Sequence, residues 1–98
     1  MPGDAVAVAP LAYNVLVENY QVRVLEFKGS SGTKTGMHTH PNLVAIAITG
    51  GKFKFTLGDG ASFEAELEAG QAMCNDAHAH SSEVLGTGET HVLLVELK

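Results

Sequence analysis

Tryptophan is absent from this chain of 98 residues, and Cys74 is its only cysteine. A lone cysteine excludes an internal disulfide and a cysteine-based zinc finger, and it fits a reducing cytoplasm. Cations are scarce as well, six Lys and Arg against eleven Asp and Glu, for a net charge of -5. Those six (Arg23, Lys28, Lys34, Lys52, Lys54 and Lys98) are scattered, so no basic patch exists for a phosphate backbone. No stretch approaches the roughly 18 apolar residues of a membrane span. The opening MPGDAVAVAP has no positive charge ahead of its short apolar run, which argues against a secretory signal. These absences predict a cytoplasmic protein that engages neither nucleic acid nor membrane.

What is present points to a packed β domain. The chain is 45% hydrophobic and 17% charged, too apolar for disorder, and its length suits one compact domain over residues 1–98. Turn residues punctuate it at short intervals: Glu18-Asn19, Gly29 to Gly32, Pro41-Asn42, Gly50-Gly51, Gly58 to Gly60 and Gly86 to Gly88. Between them the apolar period is two rather than 3.6, and Val, Ile, Phe, Thr and Tyr fill the runs. The fold class this predicts is all-β.

Lys52 to Leu57 and Ser62 to Glu68 form the clearest pair, Phe53, Phe55 and Leu57 alternating with Lys in one, and Phe63, Ala65 and Leu67 with Glu in the other. Joining the apolar faces requires Phe55 opposite Phe63 or Ala65, with Lys52 and Lys54 opposite acidic Glu64, Glu66 or Glu68. A two-residue Asp59-Gly60 turn would pair Phe55 with Glu64. Parity therefore predicts a three- or five-residue loop containing Gly58, Asp59 and Gly60.

Leu43 to Ile48 is apolar at every position and Val92 to Val95 nearly so, hence both faces of each run need cover. A second copy in a homodimer is the simplest cover. The competing reading has the N-terminal segment, residues 1–19 and chiefly Ala5 to Val17, folding back over the same barrel.

Four of the five histidines form two H-x-H pairs, His38/His40 in MHTHPN and His78/His80 in DAHAHSSE. Residues two apart on a strand share a face at about 7 Å, so their imidazoles can converge on a metal at about 2.0 to 2.1 Å from each nitrogen. A further ligand must then come from another strand, and His80 or His78 supplies it. A single pair in a loop is often accidental, whereas two pairs in a β-rich chain argue for a site. His91, alone at the start of an apolar strand, reads as structural. Cys74 reads as a small core residue, and Met37 and Met73 as ordinary packing.

The stretch GTKTGMHTHPNLVAIAITGG, with Gly32, His38, His40 and Gly51, resembles the first motif of the cupin family: G, five residues, H-x-H, three or four residues, Glu, six residues, Gly. GQAMCNDAHAH, Gly70 to His80, resembles the second motif more loosely, Asp76 standing in its Pro slot and His80 at its His. The resemblance covers about Tyr20 to Lys98. It implies a short antiparallel jelly-roll barrel, commonly dimeric, with a metal near the mouth of the lumen held by His38, His40 and His80. Val44 stands where the motif has its Glu ligand. If alternation continues unbroken from His38, then Val44, Ile46 and Ile48 face inward with the histidines, unless Pro41 interrupts the phase.

Three neutral imidazoles suit one divalent transition metal ion, Zn, Fe, Ni or Cu, better than hard Mg or Ca. His78 is either a fourth metal ligand or a supporting group or proton shuttle beside the other three. The expectation is a metal-dependent, dioxygenase-like enzyme acting on a small molecule; the alternative is a non-catalytic binding or sensor module. No obvious carboxylate base stands among the motif residues, which argues against isomerase or epimerase chemistry.

Overall fold

The computed structural model describes residues 3–98. A one-turn helix, α1 (Ala5–Val8), precedes nine strands: β1 (Tyr13–Glu18), β2 (Val22–Ser30), β3 (Lys34–His40), β4 (Leu43–Ala47), β5 (Gly51–Leu57), β6 (Ser62–Leu67), β7 (Ala72–Asn75), β8 (His78–Leu85) and β9 (Glu89–Leu97). They form two sheets, one of five strands in the order β1-β2-β9-β4-β7 and one of four in the order β3-β8-β5-β6. Every paired neighbour within the sheets is antiparallel. The inner faces close on Leu25, Phe27, Leu43, Phe53, Val84 and Leu94, all buried.

The β5–β6 hairpin follows from parity. Phe55 pairs with Phe63, Lys54 with Glu64 and Lys52 with Glu66. Leu57 donates its N–H to Ala61 O, which leaves Gly58, Asp59 and Gly60 as a three-residue loop. Gly60 closes it at φ 91°, in the left-handed region that a three-residue hairpin needs at this point. Lys52 Nζ reaches Glu64 at 3.1 Å, but both ends are about half exposed, so the pair contributes only about 0 to 1 kcal/mol. Burying Phe53 contributes about 1.5 to 3 kcal/mol and dominates.

The expected inward face of β4 is corrected. Leu43, Ala45 and Ala47 are buried, while Val44 and Ile46 lie on the outer face and Ile48 is 44% exposed. The cause is the exposed Pro41-Asn42 corner, where the chain leaves the four-stranded sheet for the five-stranded one. A strand entering a different sheet resets its phase, so His40 and Leu43, three residues apart, both face the lumen. Cys74 is also corrected: it is exposed, because β7 is an edge strand and Cys74 sits opposite the outward Val44.

Part of the N-terminal segment packs against β3. Asp4 caps α1, its side chain accepting from Val6 N–H at 3.2 Å, and Ala5 is fully buried. An isolated parallel bridge joins Asp4 to Thr39, between the two histidines of β3. Tyr13 enters the core, yet Val15, Leu16 and Val17 remain 38 to 50% exposed on the edge strand β1.

Candidate metal centre

Strand pairing builds the site. On β3 and β8, His38 lies opposite His80 and His40 opposite His78, so the two H-x-H pairs form a two-by-two block on the inner face. Ring centroids are 4.8 Å apart for His38 and His40, 4.9 Å for His38 and His80, and 5.1 Å for His40 and His80. One ligand atom from each of His38, His40 and His80 lies within 4.8 Å of the other two.

Hydrogen bonding fixes which nitrogens carry protons. His38 Nδ1 is 2.7 Å from Gly36 O, and His78 Nδ1 is 2.7 Å from Asp76 O. His40 Nδ1 is 2.9 Å from Glu96 Oε2. Carbonyls and carboxylates accept, so these three Nδ1 atoms donate, and in the singly protonated form of each ring the Nε2 atom is bare. His78 Nε2 then accepts from His80 Nδ1–H at 3.1 Å, which leaves His80 Nε2 bare too. That atom is buried and has no hydrogen-bond partner.

The Nε2 atoms of His38 and His40 are 3.1 Å apart. Where neither carries a proton, two lone pairs face each other at this distance; a proton on either would make the contact a hydrogen bond. The Tyr13 hydroxyl, 3.3 Å from His38 Nε2, can donate to that atom, but His40 Nε2 keeps an unshared lone pair. Two nitrogens each about 2.0 to 2.1 Å from one ion stand about 3.0 to 3.4 Å apart, so the observed spacing fits a shared cation. The donor set therefore fits a metal.

Electrostatics agree. Burial holds His38 below the usual imidazole range and pushes His80 down to about 3, the neighbouring imidazoles lowering it further. Both rings stay neutral and competent to ligate near pH 7. Burial, with the Glu96 charge, raises Tyr13 above the usual phenol range, so its hydroxyl keeps its proton. Glu96, 2% exposed, also accepts from Arg23 Nε at 2.8 Å. Arg23 in turn bonds Asp4, whose carboxyl it holds below the usual range.

Glu96 and Tyr13 are the site residues that sequence reasoning missed. A signal for Glu96 existed, since it continues the inward parity of Val92 and Leu94 on β9 and so puts a carboxylate on the lumen face. The position matched to the motif's Glu, Val44, points outward, and its inward neighbours Leu43 and Ala45 are apolar, so β4 offers no ligand. His91 stands apart, its Nε2 2.8 Å from Glu26 Oε2 on the outer face. Met73 lines the cavity beside the site.

That cavity, about 380 Å³, is walled by Phe27, Phe53, Phe55, Phe63, Leu67 and Leu94 among others, with His40, His78, His80 and Tyr13 on its floor. Asp76, exposed, is the carboxylate on its rim.

No protein-family model and no curated protein matches the chain. Solved structures do. A cupin domain from Bordetella pertussis Tohama I is similar over 100% of this chain and 97% of its own, with 21% identity and a TM-score of 0.78. A conserved protein with a double-stranded β-helix domain from Klebsiella pneumoniae matches over 87% of this chain and 74% of its own, at 19% identity and a TM-score of 0.69. An RmlC-like cupin family protein from Methanocaldococcus jannaschii matches over 87% and 77%, at 15% identity and a TM-score of 0.69. The fold is thus the small cupin barrel, a double-stranded β-helix.

Proposed function

We propose that this chain is a metal-binding cupin that holds one divalent transition metal ion, Zn, Fe, Ni or Cu, on the Nε2 atoms of His38, His40 and His80, and works on a small molecule held in the lumen. The observation that carries the reading is the pair of ring nitrogens 3.1 Å apart beside the orphaned Nε2 of His80. His78 then serves as the acceptor that fixes the His80 ring, through its 3.1 Å contact, rather than as a fourth ligand. When bound, such a metal supplies a Lewis acid or redox centre with open positions, which suits dioxygenase-like oxidation. The residues of the chain orient the three rings, and the phenyl walls exclude water.

Elemental analysis of purified protein tests this. Metal near one equivalent is expected in the wild type and close to none in His38→Ala and His80→Ala; full occupancy in both variants would sink the reading. Oxygen uptake by the loaded protein with small phenolic, diketone and thiol compounds then tests catalysis. One observation favours the alternative, a non-catalytic ligand carrier or sensor: among the described residues the cavity carboxylate is Asp76, exposed on the rim. Tight ligand binding with zero turnover throughout would establish that alternative.

The same reading includes a homodimer. A row of outward side chains, Val17, Val24, Val95, Val44 and Cys74, crosses all five strands of the larger sheet in register. A second copy covers such a face. Light scattering should give twice the chain mass, and Val95→Lys should shift it to one. No helix among the described residues is long and apolar enough to cross a membrane, and we assign the protein to the cytoplasm.

A further inference from the structure

The cavity above the histidines says which small molecule it accepts. Its walls carry four phenylalanines, Phe27, Phe53, Phe55 and Phe63, and among the described residues no Lys or Arg lines it. Arg23 does not line it, and its guanidinium is held by Glu96 and Asp4. Phe53 and Phe55 stack at 5.2 Å with planes 15° apart, and Phe55 stacks on His80 at 5.0 Å and 23°. A ladder of parallel rings thus leads down to the bare His80 nitrogen. Phe63, 49% exposed, stands at the mouth 5.7 Å from Phe55. Asp76 sits on the rim, while Glu64 and Glu66 lie on the opposite face of β6, against Lys54 and Lys52.

From this geometry we infer that the ligand is an uncharged molecule with an aromatic ring, lying along the Phe53–Phe55 ladder with a metal-binding oxygen or nitrogen head directed at His40 and His80. The inference rests on the metal-site reading and adds the class of ligand. Away from a metal at the histidines, a carboxylate or phosphate would be buried with no Lys or Arg to meet it and with Asp76 on the rim. An ammonium ligand would lose its hydration with no buried carboxylate lining the cavity, and a metal cation at the histidines would repel it. A flat ring gains offset stacking on phenyl neighbours in addition to burial. About 380 Å³ holds one substituted ring.

Three catechols with one chelating head and different tails test the inference by calorimetry at pH 7: 4-ethylcatechol, uncharged; dopamine, cationic; and 3,4-dihydroxyphenylacetate, anionic. Each is titrated into zinc-loaded and metal-free protein. The uncharged compound is expected to bind at least about tenfold more tightly than either charged one in both forms, since burying an unpaired charge outweighs a few extra contacts. Phe63→Lys, at a half-exposed position that leaves the core intact, should narrow the gap for the anion at least about threefold. Equal or tighter binding of a charged compound, or no change in selectivity in Phe63→Lys, would overturn the proposal. If zinc fails to bind while the metal-free protein still prefers the uncharged compound, the metal-site reading fails and the ligand class stands. If zinc binds with no selectivity, the reverse holds.

Discussion

Glu96 Oε2 sits 2.9 Å from His40 Nδ1, and the same carboxylate takes Arg23 Nε through its other oxygen. An anion behind an imidazole fixes the ring's tautomer and raises the basicity of its far nitrogen. Glu96→Gln keeps an acceptor for His40 but removes the charge. Zinc affinity, measured by competition with a chromophoric chelator, should fall about 10- to 100-fold, with the fold retained by circular dichroism. Unchanged affinity would mean that Glu96 only neutralises Arg23.

His78 and His80 should separate in the same assay. His80→Ala removes a ligand and should abolish binding, whereas His78→Ala should weaken it by about tenfold. His78→Gln retains an oxygen that can accept from His80 Nδ1. The visible spectrum of cobalt-substituted His78→Gln should match the wild type; a spectrum reporting one nitrogen fewer would make His78 a ligand.

The histidine block was legible because its geometry is local: two residues apart on a strand fixes a shared face before any tertiary information. The hairpin loop was legible for the same reason, parity leaving few lengths for Gly58 to Gly60. The partners of Glu96 and Tyr13 were not: parity puts Glu96 on the lumen face, but its place beside His40 depends on β9 lying between β2 and β4, and that of Tyr13 on β1 pairing with β2. The phase of Val44 was lost at Pro41-Asn42, where a passage between sheets overrides strand alternation. Cys74 was misread because nothing local marks β7 as an edge.

Acid should destabilise the metal-free protein before its carboxylates titrate. His80 is depressed to about 3 by burial, against about 6.5 unfolded, so below pH 6.5 the unfolded chain binds a proton that the folded one refuses. The stability this group preserves is complete above about pH 6.5 and is lost as pH falls from there toward 3, at up to about 1.4 kcal/mol per pH unit. Urea midpoints between pH 7 and 4 should show this slope, and His80→Asn should flatten it. A wild-type slope unchanged by that substitution would show that other groups govern it.

Gly51, which closes the first motif, is required by contact. A Cβ there would lie 2.4 Å from Thr90 Oγ1 and 2.7 Å from its Cγ2. Thr90 is buried on β9 and cannot swing clear, so Gly51→Ala should destabilise by about 1 to 3 kcal/mol in thermal or urea unfolding. Adding Thr90→Ala should restore part of the loss; strict additivity of the two changes would refute the clash.

The capped turn at Ala5–Val8 lies at one end of a relay of contacts running from Asp4 through Arg23 and Glu96 to His40. Whatever tightens the grip at one end must, by thermodynamic reciprocity, tighten it at the other. Loading the barrel with zinc should therefore slow amide hydrogen exchange at Val8 and Ala9, whose N–H groups close that turn on Asp4 and Ala5, although no ligand comes near them. The first residues of the chain would then report, from a distance, on whether the histidines are engaged.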